Sequence, residues 1–144
     1  MIILDSNIWI AFLNIDDFNH KKAERVFKEL SEKIILTEYV LLEVTTVVSL
    51  KVSKEAANNF IKTVVDNKDI EILPSSKEFL EGVIKFYLSK KNKNLSFVDY
   101  SLAYLSQKFK VLTFDRKLKS ELKKFWRRNK FDIKIMLSKK NSKG

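Results

Sequence analysis

Four acidic side chains stand where this chain is expected to do chemistry. They are Asp5 in Ile3-Leu4-Asp5-Ser6-Asn7, Glu43 in Val40-Leu41-Leu42-Glu43-Val44, Asp99 in Leu95-Ser96-Phe97-Val98-Asp99-Tyr100, and Asp115 in Leu112-Thr113-Phe114-Asp115. No Lys or Arg interrupts the segments around Asp5, Glu43 or Asp99. Gathered in one cleft without partners, such carboxylates would repel by roughly 4 kcal/mol per pair at about 4 Å, taking an effective dielectric near ~20. Something positive is required, and a hard divalent cation, Mg²⁺ or Mn²⁺, is the expected counter-charge.

What is missing narrows the reaction. His20 is the only histidine, so a ribonuclease mechanism built on two imidazoles is not available. Gly82 and Gly144 are the only glycines, which excludes the Gly-rich phosphate loops of nucleotide-binding proteins. The absence of cysteine removes thiol catalysis, disulfides and a Cys-type zinc site, and fits a reducing interior. Metal-assisted hydrolysis remains, in which cations polarise a phosphoryl oxygen and generate hydroxide from bound water.

Each acid also has a plain structural reading. Asp5 and Asp115 can cap the helices that follow them. Asp99 stands third after Ser96 and can be the acidic half of a capping box. Glu43 has the weakest such explanation, because it lies in a helix from Thr37 to about Lys51 that is apolar almost all round and therefore expected to be buried. A buried Glu needs a partner. The joint occurrence of the four acids carries the inference.

The elements that must position these residues follow from periodicity. Ile2-Ile3-Leu4 is a short aliphatic run, as in a strand covered on both faces, and Asp5 closes it. Helical spacing follows in Ile8, Phe12 and Ile15, and again from Asn19 through Ala23, Val26, Phe27 and Leu30. Ile34 to Leu36 is a second strand, and the helix from Thr37 comes next. Ser53 opens a helix with the stripe Ala56, Ala57, Phe60, Ile61, Val64 and Val65. A third strand, Ile70 to Leu73, stops at Pro74. Ser75 with Glu78 matches a capping box for a helix to about Ser89, and Ser96 opens another that carries Asp99. Val111 to Phe114 is a fourth strand ending at Asp115, and a basic helix runs from Arg116 to about Arg128. Ile133 to Met136 is expected to be a fifth, edge strand, and the tail after Leu137 to be disordered.

Strands separated by helices imply crossovers and a parallel sheet. The expected fold is a three-layer α/β/α Rossmann-like sandwich, with a mainly parallel sheet of about five strands. The expected organisation is one domain over residues 1–137 and a basic flexible tail over 138–144. In that fold Asp5 and Asp115 close strands at the edge where ligands collect, and Glu43 and Asp99 lie in helices that begin there. No apolar run is long enough to span a membrane, and no signal peptide is evident.

The net charge of +10 is unevenly spread. From Asp115 to Gly144 there are twelve Lys or Arg against three acids, with Phe125, Trp126, Arg127 and Arg128 at the centre. Such a patch suits a polyanion held through its phosphates, although a solvated basic surface reads the same way from charge alone.

In order and spacing, the four acidic motifs resemble those of PIN-domain nucleases, and most closely the VapC toxins of prokaryotic type II toxin-antitoxin pairs. The resemblance spans about Met1 to Leu118. It implies Mg²⁺- or Mn²⁺-dependent endonucleolytic cleavage of RNA by a cytoplasmic homodimer that a small antitoxin protein silences. By position it makes Asp5 and Asp99 the principal metal ligands, with Glu43 and Asp115 completing the catalytic quartet. Asn7 and Thr113 match polar positions that support Asp5 and Asp115 by hydrogen bonds, and Ser6 stands beside them. Arg116, Lys117, Lys119, Arg127 and Arg128 are the candidate RNA-binding residues. The alternatives are a PIN protein of RNA processing that is not a toxin, and a non-catalytic RNA-binding module on the same fold. Trp9, Phe12, Phe18 and the helix from Thr37 are the surfaces expected to serve either as dimer interface or as core.

Overall fold

In the computed structural model, residues 1–91 and 93–128 are described. The chain begins with strand β1 (Ile2–Leu4), whose three aliphatic side chains are all buried. β1 pairs in parallel with two strands at once, placing Ile3 beside Ile35 on one side and Val111 on the other. It is therefore an interior strand covered on both faces, which is why it carries no polar residue. Burying each Ile or Leu contributes about 1.5–3 kcal/mol.

Helices α1 (Ser6–Leu13) and α2 (His20–Glu29) lead to β2 (Ile34–Thr37). Helices α3 (Glu38–Lys51) and α4 (Lys54–Asp66) lead to β3 (Ile70–Leu73). Helices α5 (Lys77–Ser89) and α6 (Phe97–Leu105) lead to β4 (Lys110–Leu112), and α7 (Arg116–Arg128) follows. The strand order is β3-β2-β1-β4, all parallel. The chain thus steps outward from β1 through β2 to β3 and then returns to the other side of β1. Right-handed crossovers put helices on opposite faces for these two directions of travel. Accordingly α1 packs on α2 and α3, and α3 on α4, while α5 packs on α6 and α6 on α7. The carboxyl ends of β1 and β4 flank the point where the direction reverses, the position at which open α/β sheets bind ligands.

Several local expectations change. α3 is not buried all round: Val40, Val44 and Val48 face the core, but Leu42 and Leu50 are exposed, and so is Glu43. A helix on a sheet buries one stripe, and Leu42 and Leu50 lie off it, so composition alone overstated its burial. Ile15 falls beyond the end of α1 and is exposed. Trp9 is core, with its ring 5.0 Å from Phe27 and 5.5 Å from Phe60, whereas Phe12 and Phe18 are exposed. The cap of α5 is Ser76, whose hydroxyl accepts from Phe79 N; Ser75 instead gives its N–H to Glu38 and holds that carboxyl below its usual range. β4 stops at Leu112, and Thr113 and Phe114 leave the ladder to build the site. The strand expected over Ile133–Met136 and the tail over 138–144 lie outside the described residues, as do the side chains of Arg127 and Arg128.

Candidate active site

Asp5 follows the last residue of β1 with extended backbone and caps α1, so its carboxylate sits at the end of a buried strand. Only 3% of the residue is exposed. Both oxygens are held. Oδ1 accepts from Ser6 N at 2.7 Å and from Ser6 Oγ at 3.3 Å. Oδ2 accepts from Thr113 Oγ1 at 2.7 Å and from Asn7 Nδ2 at 3.3 Å.

Thr113 is buried just past β4. Its hydroxyl accepts from Asn7 Nδ2 at 3.1 Å and from Asp115 N at 3.0 Å. Both neighbours are obligate donors, so the single hydroxyl proton must go to Asp5. Asn7 is oriented by the backbone: its Oδ1 accepts from Phe114 N at 3.2 Å, which turns the amide nitrogen toward Asp5 and Thr113. Two loops more than a hundred residues apart are thereby closed around one carboxylate.

Glu43 projects from α3 and is exposed, and Asp99 lies half-buried in the first turn of α6. Neither is independent of Asp5. Burial pushes the Asp5 carboxyl from 3.8 up to about 6; hydrogen bonds from Thr113 and Ser6 oppose the shift, and the charges of Asp99 and Glu43 add to it. The fold therefore brings Asp5, Asp99 and Glu43 into one electrostatic neighbourhood. Asp99 also forms the full capping box with Ser96: Oδ2 accepts from Ser96 N at 2.9 Å, and Asp99 N donates to Ser96 Oγ at 3.1 Å. Asp115 joins the cluster through Thr113 while its Oδ1 caps α7 by accepting from Lys117 N at 2.9 Å. The capping readings of Asp5, Asp99 and Asp115 are thus all realised, and they coexist with the clustering.

Among the described residues, none of the four acids forms an ion pair with a Lys, Arg or His. Nor do three His, Asp or Glu side chains there stand close enough together to hold a metal ion as they are placed. The fit to a cation is consequently one of chemistry. The donors are all carboxylate oxygens, which suit Mg²⁺ or Mn²⁺, and the buried member carries a charge that its surroundings disfavour. Asp5, Asp99, Glu43 and Asp115 are the carboxylates that could offer oxygens to such an ion.

Arg116, Lys117 and Lys119 are exposed on the first turns of α7, directly after Asp115. A further cation was not evident from sequence: Lys22 of α2 places Nζ 4.6 Å from the centre of the Phe114 ring. No local pattern marks that contact, because the two residues meet only through the fold.

The sequence matches the PIN domain family over residues 2–122. Among solved structures, the fold is similar to the crystal structure of Mycobacterium tuberculosis VapC20, described as a sarcin-ricin loop cleaving toxin. The TM-score is 0.76 with 19% identity, over 83% of this chain and 94% of that one. At that identity the likeness is one of fold. No curated protein matches the sequence. With a family match that runs from β1 into α7, and with Asp5, Asp99 and Asp115 at the carboxyl edge of its parallel sheet, this chain belongs to the PIN-domain family.

Proposed function

We propose that the protein is a metal-dependent endoribonuclease of VapC type, the toxin of a toxin-antitoxin pair. One observation carries the reading. Asp5 is buried at the switch point of the sheet with its carboxyl pushed up to about 6, beside two further acids and, among the described residues, no cationic side chain in ion-pair contact. Such an arrangement is costly when empty and relieved by a divalent cation. Membership of the PIN-domain family and the fold shared with VapC20 support it.

A bound Mg²⁺ or Mn²⁺ supplies Lewis acidity toward a phosphoryl oxygen and lowers the pKa of water. The chain's own residues do the rest. Thr113, Asn7 and Ser6 fix both oxygens of Asp5, so that little reorientation is left when a ligand arrives. The capping box fixes the backbone that presents Asp99. Arg116, Lys117 and Lys119, with Arg127 and Arg128 further along, hold the phosphates of the RNA.

The partners proposed are an RNA substrate, a second copy of the chain and a small antitoxin protein, all in the cytoplasm. Exposed Phe12, Phe18, Leu42 and Leu50 supply apolar surface for protein contacts. Among the described residues, no helix is long and apolar enough to cross a membrane.

The test is cleavage of single-stranded RNA and of a sarcin-ricin stem-loop with Mg²⁺ or Mn²⁺. The expected result is cleavage that EDTA stops and Asp5→Asn reduces to background. Full activity in EDTA, or an Asp5→Asn variant as active as wild type, overturns the reading. Salt-sensitive RNA binding with no cleavage would instead select the non-catalytic binding module. A cleaving enzyme with no co-expressed antitoxin partner would select the RNA-processing alternative.

A further inference from the structure

The geometry points to Lys22 as a phosphate-binding residue at the acidic edge, an assignment that rests on the reading that RNA is held there. Lys22 lies on the exposed face of α2 and makes no ion pair among the described residues. Its ammonium sits over the ring of Phe114, which lies between Thr113, the donor to Asp5, and Asp115. The backbone N–H of Phe114 is bonded to Asn7, itself bonded to Asp5. The backbone that carries the ring thus belongs to the same hydrogen-bonded frame as Asp5 and Asp115, and the ring seats the ammonium.

An ammonium beside a cluster of carboxylates would ordinarily collapse onto them. Lys22 is held over the Phe114 ring instead and forms no ion pair with them among the described residues. A positive charge is therefore seated on the ring of the residue between Thr113 and Asp115, unpaired among the described residues, where an anion can meet it. A polyanion approaching this edge needs such a charge, since the carboxylates repel its phosphates. Among the described residues the other lysine over a ring, Lys90 above Phe86 at 5.2 Å, borders a cavity shared with Glu121 and Lys124, away from this site. Lysine on an aromatic face keeps most of its hydrogen-bonding capacity, because the ring engages it only through charge and quadrupole.

The experiment measures binding of a fluorescein-labelled oligouridine by anisotropy in EDTA, across a salt series, with the full chain. Lys22→Gln is expected to weaken binding and to reduce the magnitude of the log–log salt slope by about 0.7, the value of one contact to a single strand. Lys22→Arg should restore the slope. Lys62→Gln, an exposed lysine on α4, should leave it unchanged. Phe114→Leu, which leaves the charge but removes its platform, should give an intermediate loss. In metal-supported cleavage, Lys22→Gln should raise KM more than it lowers kcat.

A Lys22→Gln protein with the wild-type slope, beside a wild type that binds and cleaves, overturns the assignment and leaves the nuclease reading standing. A slope that falls with Lys22→Gln in a protein that never cleaves supports the assignment and sinks the nuclease reading. A wild type that does not bind RNA overturns both.

Discussion

Thr113 gives its hydroxyl proton to Asp5 across 2.7 Å, and that bond joins the chain just beyond β4 to the residue that closes β1. Only one of its contacts is local, the bond it accepts from Asp115 N at the start of α7. Its three bonds, to Asp5, Asn7 and Asp115 N, all serve the cluster.

Replacing Thr113 by Val keeps the shape and removes the donor. Because this hydrogen bond lowers the Asp5 carboxyl, its loss should move that group higher still. Metal-supported cleavage is expected to fall about 10- to 100-fold, and folding stability by about 1–3 kcal/mol. The acid limb of the pH–rate profile should shift to higher pH. An unchanged profile would show that the bond does not govern Asp5.

The raised Asp5 carboxyl has a definite sign in stability. In the window between 3.8 and about 6 the folded state holds a proton on Asp5 that the unfolded state has lost, so this group's contribution declines as pH rises. The total loss is about 3 kcal/mol, complete above the upper value. Metal-free Asp5→Asn should therefore melt higher than metal-free wild type at pH 7, and added Mg²⁺ should raise the melting temperature of wild type more than that of the variant. Calorimetry in EDTA and in Mg²⁺ measures both. A metal-free Asp5→Asn protein less stable than wild type at pH 7 would contradict the burial argument.

Asp99 separates its two roles by substitution. Asn retains an acceptor for Ser96 N and loses the charge, whereas Ala loses both. Both variants should lose cleavage, and both should let the Asp5 carboxyl fall, since Asp99 is one of the charges that raise it. Only Asp99→Ala should also lose helix stability, by about 1 kcal/mol. Chemical denaturation of the two variants side by side checks this, and equal midpoints would show that the capping box contributes nothing.

Much of this protein was legible without coordinates, because the informative signals are local. A fully aliphatic Ile2-Ile3-Leu4 has few uses other than a strand covered on both faces, and β1 is one. Ser96 and Asp99 are close enough in sequence to cap one helix, and they do. Each acid's place at a strand end or in a helix's opening turns follows from the same short-range rules. What sequence misjudged was burial. Glu43 is flanked by apolar residues and yet exposed, because a helix on a sheet buries one stripe, here Val40, Val44 and Val48, whatever the composition of its other faces. Asp5, which local rules allow as an ordinary cap, is the buried acid. Its burial comes from β1 lying inside the sheet, between β2 and β4. The bonds from Thr113 and Asn7 and the seat of Lys22 on Phe114 join residues about ninety or more positions apart. Residue types along the chain decided which groups are present and which helices they cap. Only the strand order and the packing of α2 decided which of them share a charge, a proton or a ring.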